Sequence, residues 1–258
     1  MTINEHNLHT LIARPLLPAA PAELRRDGNV FFVGDALPIK ETLETVFESH
    51  CLTPAELFHL NFGEPATFPH GEELARQLKK NFHVRLVGRF SYPATADIIE
   101  RAYAAGVDMI DLPWAIFGED RRLADLAAAQ AVFPRWSVLS SLVAGAEPCT
   151  ATAQTIDRLL ANGIVPLLVV GTESACSPSQ QLAGLFTQLA AGWGRHHVPL
   201  KPLLPLIELL TPLTPAKPAG LVRGFFNKLH DRQKLATTDL RRHLRVQNVA
   251  ASYESAGL

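Results

Sequence analysis

The sequence is poor in cysteine, in long apolar runs and in net charge, and each shortage excludes something. Three cysteines in 258 residues, Cys51, Cys149 and Cys176, are odd in number and widely spaced. That is poor material for a disulfide framework. No uninterrupted run reaches the about 18 apolar residues of a spanning helix, so no transmembrane segment is expected. The opening Met1-Thr2-Ile3-Asn4-Glu5-His6 lacks the basic and then apolar blocks of a secretory leader, and a cytoplasmic location is the expectation. Twenty-four Lys plus Arg stand against 25 Asp plus Glu, a net charge of −1. That balance gives no global field for gathering nucleic acid or acidic membrane. Phosphate loops, dinucleotide fingerprints and the Gly-x-Ser-x-Gly nucleophile elbow are all missing.

What is present is a core and a repeat. At 47% apolar and 19% charged, the chain can bury a full interior and is not a disordered polypeptide. Short apolar runs begin near Val30, Leu57, Val84, Met109, Ser137 and Val165, at steps of 27, 27, 25, 28 and 28 residues. A strand, a helix and two short loops need about that length. Helix-period stripes fill the intervals: Leu43, Val46 and Phe47; Ile98, Ile99 and Ala102; Ile156, Leu159 and Leu160; Leu182, Leu185, Phe186 and Leu189. Gly106 and Gly163 stand where helices should stop. Ser177-Pro178 reads as an N-cap followed by proline at the first helical position.

The strands are continuously apolar, as expected where both faces are covered. Six βα units imply a parallel sheet, doubly wound or curved into a partial barrel. The fold class read here is α/β, a six-unit parallel (βα)6 partial barrel, TIM-barrel-like but short of the eight units of a closed one. It divides into an N-terminal arm (1–29), the barrel (30–198), a Pro-rich strap (199–220) and a basic helical tail (221–258). The strap carries six prolines between 199 and 218, a density that predicts neither regular helix nor central strand. The tail carries seven Lys plus Arg against three Asp plus Glu. Its Leu221, Phe225, Phe226 and Leu229 fall at helical spacing. It reads as a helix packed on the barrel with solvated charges, or as a basic face for a protein partner, anionic lipid or RNA.

Ligands of parallel sheets bind at the carboxyl ends of the strands. Those ends carry Gly34-Asp35, Gly63-Glu64, Gly88-Arg89, Asp111, Gly145-Ala146-Glu147 and Gly171-Thr172-Glu173. Carboxylates converging there need solvent, partners or a ligand. Scattered His50, Cys51, His59 and His70 do not share a helix face and are not read as a metal site. Trp114, Trp136 and Trp193 are read as core or loop anchors.

Two of these ends resemble a family. Asn61-Phe62-Gly63-Glu64-Pro65, closing the second strand, looks like the Gly-Gly-Glu-Pro element of radical S-adenosylmethionine enzymes. Ser141-Leu142-Val143-Ala144-Gly145-Ala146-Glu147, closing the fifth, resembles that family's Gly-rich "v-x-G-x-E" segment. Asp157 to Pro166 continues the likeness, which covers roughly residues 30–191. The resemblance implies that Glu64 holds the methionyl amino group of S-adenosylmethionine and that the Gly145 segment borders its adenine. It also implies a polar ribose contact from Asp111. The expected ligand set is Gly63, Glu64, Asp111, Gly145, Glu147 and Thr172, with S-adenosylmethionine as the candidate cofactor.

The departure is equally specific. The family's Cys-x3-Cys-x2-Cys loop follows the first strand, where this chain has Gly34-Asp35-Ala36-Leu37-Pro38-Ile39-Lys40. A four-iron cluster needs several thiolates converging on one point, so no iron–sulfur cluster is expected. Two other readings stay open. One is a non-radical barrel enzyme of lyase type, with Glu64, Asp111 or Glu147 as general base. The other is a non-catalytic protein that binds a partner through strap and tail. Three carboxylates at one mouth repel, and a cationic sulfonium or amine would relieve that repulsion.

Overall fold

The computed structural model describes residues 1–116, 122–176, 178–215 and 242. Its centre is one seven-stranded sheet in strict chain order: β2 (Leu24–Asp27), β3 (Val30–Gly34), β4 (Leu57–Phe62), β5 (Arg85–Phe90), β6 (Met109–Asp111), β7 (Val138–Ala144) and β8 (Val165–Val170). β2 runs antiparallel to β3, and every later pair is parallel. Helices α2 (Ile39–Leu52), α3 (Phe68–Asn81), α4 (Ala96–Ala104), α5 (Arg122–Val132), α6 (Cys149–Ala161) and α7 (Ser179–Arg195) each follow one parallel strand.

Strand order decides between the two sheets that the repeat allowed. A doubly wound sheet reverses direction at a switch point. Here the order never reverses, and right-handed crossovers then put every helix on the same face. The architecture is barrel-like but open, since β2 and β8 are its two edges.

Side chains alternate accordingly. Phe58 and Phe62 of β4 pack outward against Phe82 and Phe68 of the α3 region. His59 and Asn61 occupy the opposite, inner face, beside Phe32 of β3 and Val87 and Arg89 of β5 in the strand register. Two helices end in the same way. After α4 the amide of Gly106 donates to Tyr103 and that of Val107 to Ala102. After α6 the amides of Gly163 and Ile164 repeat the pair to Leu160 and Leu159. Both glycines have positive φ, as this left-handed termination requires.

Four expectations need correction. The arm is not a mere lead-in: it contains β1 (Thr2–Ile3), α1 (Glu5–Ala13) and strand β2, which joins the sheet through the Gly28-Asn29 hairpin. The strap holds a helix, α8 (Leu204–Leu210), then β9 (Leu213–Thr214), which pairs with β1. Pro205 lies in the first turn of α8 and Pro212 lies beyond its end, so no proline removes an interior hydrogen bond. Phe47 is 61% exposed rather than part of a buried α2 stripe, where Thr42 and Val46 face the core instead. Helix α7 begins at Ser179 with Pro178 in the capping position, one residue later than read, and Ser177 lies outside the described residues. So does the tail, apart from Arg242.

No helix among the described residues is long and apolar enough to cross a membrane. Trp114 and Trp193 are core residues, and Trp136 is partly buried.

Candidate functional site

The carboxyl ends of the strands form a rim, and beneath it the inner face of the sheet is polar. Arg89 on β5 is opposite Asp111 on β6 in the register, and Ser141 on β7 lies two residues beyond Leu139, the register partner of Asp111. Arg89 Nη1 donates to Asp111 Oδ2 at 2.8 Å and to Ser141 Oγ at 2.6 Å. The Ser141 amide donates to Asp111 Oδ1 at 3.0 Å. Asp111 is 1% exposed, and both of its oxygens are engaged. Its charge is met by Arg89. With both oxygens held it is also no free general base.

Two atoms of this inner layer have no hydrogen-bond partner among the described residues: Arg89 Nε and His59 Nδ1. Burial, with help from the Arg89 charge, lowers the His59 imidazole to about 4, so the ring is neutral at pH 7. One layer toward the rim, Ser91 Oγ donates to Asn61 Oδ1 at 3.0 Å, and Asn61 Nδ2 donates to the Ala19 carbonyl at 2.8 Å.

That last bond brings the N-terminal arm across the mouth. The Ala36 amide donates to Pro21 O at 2.8 Å and the Gly34 amide to Glu23 O at 2.9 Å. The arm lies so close that a Cβ on Gly34 would stand 2.1 Å from Ala20 O and 2.2 Å from Pro21 O. Only glycine fits there.

Under the arm sits Asp35, fully buried at the end of β3. Asp35 Oδ2 accepts from the Gly63 amide at 2.9 Å and from Thr67 Oγ1 at 2.5 Å. This carboxylate clamps the β3–α2 connection onto the start of α3. Glu64 is exposed in the β4–α3 connection that Asp35 holds. Gly145 and Glu147 are half-buried after β7, with Gly145 at φ +86°. Thr172 is exposed after β8 and donates to Glu173 Oε2 at 3.1 Å, while the buried Ser174 ties that turn to Ala144 O. All six expected ligand residues therefore lie at or just beyond strand ends. Hydrogen bonds link Asp111 to Arg89 and Ser141, and none joins Glu64, Asp111 and Glu147 to one another among the described residues.

The residues do not fit a four-iron cluster. Only Asp35 to Pro38 separate β3 from α2, with no thiol among them. Cys51 is exposed near the far end of α2, and Cys149 opens α6 beside Gln181. Among the described residues no three His, Cys, Asp or Glu side chains gather in a way that could hold a metal ion.

Sequence reasoning noted Arg89 and Asp35 as strand-end residues but missed the partners of both. Polar residues inside apolar strands (His59, Asn61, Ser141) were the available signal, because a strand covered on both faces admits them only where they are bonded to something.

No protein-family model matches the chain, and no curated protein matches it. Among solved structures, a chitinase from Chromobacterium violaceum ATCC 12472 is similar in fold at a TM-score of 0.45 and 14% identity. The likeness covers 72% of this chain and 84% of that one.

Proposed function

We propose that the chain is a cytoplasmic, radical-S-adenosylmethionine-like (βα)6 partial barrel that works without an iron–sulfur cluster. It binds S-adenosylmethionine or a related small molecule at the carboxyl ends of its strands. The observation that carries this reading is the polar floor under the rim. Arg89 is fixed by Asp111 and Ser141, with Arg89 Nε and His59 Nδ1 left without a hydrogen-bond partner among the described residues. Buried polar atoms without partners cost about 1–3 kcal/mol each, and a ligand or water that bonds them recovers that cost.

In this reading Gly63, Glu64, Gly145, Glu147 and Thr172 line the rim, and Asp111 acts by holding Arg89. Glu64 supplies a solvated charge for a cationic group, and Gly145 lets a planar ring approach the backbone. The test is calorimetric titration of S-adenosylmethionine and S-adenosylhomocysteine into wild type and Glu64→Gln. The expected result is saturable binding by wild type, weakened by the loss of charge. Absence of binding by either nucleoside would refute the reading.

A further inference from the structure

Arg89 distributes its hydrogen bonds unevenly. Both hydrogens of Nη1 are taken, one by Asp111 Oδ2 and one by Ser141 Oγ. Nε and Nη2 bond to nothing among the described residues, and Nε is buried. A planar guanidinium carries its Nε hydrogen and one Nη2 hydrogen parallel along one edge, the fork that fits the two oxygens of a carboxylate. Asp111 does not use that edge. It meets Nη1 alone, and its other oxygen accepts from the Ser141 amide. An arginine kept only to neutralise Asp111 would present the fork to it. Here the fork is left free, and its inner hydrogen is already stripped of water.

The register places this edge. Arg89 stands between Asn61 of β4 and Asp111 of β6 on the inner face. Asn61 is engaged at both ends of its amide, by Ser91 Oγ and by the Ala19 carbonyl. His59 is opposite Val87, two residues before Arg89, and is 3% exposed with its Nδ1 unpartnered among the described residues. The two side chains with unbonded buried nitrogens are therefore diagonal neighbours on one face, a relation that spans roughly 7 Å in a sheet. The Arg89 side chain is 20% exposed and its Nη2 is not sealed from solvent. A group arriving at Nη2 comes to Nε next.

We propose that the Nε–Nη2 edge of Arg89 is a carboxylate subsite, so that the small molecule of the rim is a carboxylic acid gripped by two parallel hydrogen bonds. The inference rests on the small-molecule reading above and names the group that the inner face recognises. Chemistry narrows the choice. A water molecule brings one oxygen to a pair of donors that fits two. A phosphate also matches the fork, but Asp111 already holds a negative charge against the same guanidinium. That charge repels a dianion twice as strongly as a monoanion, which selects the carboxylate.

The experiment uses the full chain with S-adenosylmethionine and its decarboxylated form, which keeps the nucleoside, the sulfonium and the amine and lacks only the carboxylate. Calorimetry should show wild type binding S-adenosylmethionine at least about tenfold more tightly, the scale of a hydrogen bond to a charged group. Arg89→Lys keeps a cation for Asp111 but has no parallel pair of donors, and it should cut that ratio at least about threefold. A smaller wild-type ratio, or a smaller change in Arg89→Lys, overturns the proposal. If the variant fails to fold, or if wild type binds neither nucleoside and the rim reading itself falls, sodium acetate decides the subsite alone. Nitrogen-edited NMR of wild type then follows the Arg89 Nε–H resonance. A saturable shift with acetate, absent with sodium chloride at equal ionic strength and reached only at higher concentrations of inorganic phosphate, upholds the subsite. No shift, the same shift with chloride, or phosphate binding as tightly as acetate overturns it.

Discussion

Arg242 Nη2 donates to Asp108 Oδ1 at 3.0 Å, joining the basic C-terminal stretch to the amino end of β6. The same guanidinium donates to the Val107 carbonyl at 3.1 Å and lies over the Tyr103 ring. Asp108 Oδ2 meanwhile accepts from Lys79 Nζ and from the Leu86 amide, both at 2.9 Å. Asp108 is 2% exposed and Arg242 7%, so at this position the tail's charge is buried rather than solvated.

Asp108→Asn should therefore be severe. It leaves two largely buried cations, Lys79 and Arg242, without the carboxylate they share. Removing one partner of a buried ion pair costs about 3–5 kcal/mol. Urea denaturation of Asp108→Asn beside Asp97→Asn, an exposed acid on α4, measures the difference. Similar small losses in both would show that the triad does not stabilise the fold.

Gly106→Ala should be costly for a different reason. Gly106 has φ +111°, and an added Cβ would stand 2.5 Å from Lys79 Cγ. The left-handed conformation alone costs a side chain about 1–2 kcal/mol, and the contact displaces the lysine that serves Asp108. Gly184→Ala, inside α7 and with open space at its Cβ, should instead stabilise by roughly 0.5–1 kcal/mol. Thermal melts of the pair should move in opposite directions.

The same positions show how much the sequence disclosed. Strands were expected from 30, 57, 84, 109, 137 and 165, and they begin at 30, 57, 85, 109, 138 and 165. Apolar runs covered on both faces leave little freedom in where they sit. Strand β2 escaped because Leu24-Arg25-Arg26-Asp27 has no such run, although the Gly28-Asn29 pair after it is a two-residue hairpin signal. Helix α8 escaped because the count of prolines was weighed and their spacing was not. For the site, the rim residues were legible from topology. The pairing of Arg89 with Asp111 and Ser141 was not, since those residues come from three strands and meet only through the register. Likewise nothing local to Asp35 announces that Pro21, fourteen residues earlier, will cover it.

Acid should destabilise the protein through His59. An unfolded histidine titrates near 6.5, whereas the buried His59 titrates at about 4. Above pH 6.5 both states hold a neutral ring and the residue makes no pH-dependent contribution. Between 6.5 and 4 the unfolded chain binds a proton that the native chain refuses. Stability therefore falls with falling pH, by about 3 kcal/mol in all. The contribution is complete above the unfolded value and fully lost below about pH 4. His59→Gln should lack this component, so wild type minus variant, measured by urea denaturation at pH 7, 6, 5 and 4.5, should decline steadily. A flat difference would mean that His59 titrates normally.

Arg89 and Asp111 should behave as one unit. Asp111→Asn keeps an acceptor for the Ser141 amide but leaves the Arg89 guanidinium, whose side chain is 20% exposed, without its carboxylate. A loss of roughly 1.5–3 kcal/mol is expected, the range for a hydrogen bond to a charged group. Arg89→Met should cost more, because it strands a carboxylate whose side chain is only 2% exposed. Such groups are the expensive ones to leave alone. The double variant removes both charges, keeps the Ser141 acceptor and fills the space with an apolar chain of similar length. It should therefore be more stable than Arg89→Met alone, and the cycle should show a coupling of about 1–3 kcal/mol between contacting residues. The arithmetic separates structure from function at this site. If the two single losses simply add, the pair is not a unit, and Arg89 is not held in place by Asp111. If they couple strongly while S-adenosylmethionine binding is lost in the double variant despite its recovered stability, the guanidinium is retained for a ligand. A fold that tolerates the swap has no structural need for a buried arginine on β5.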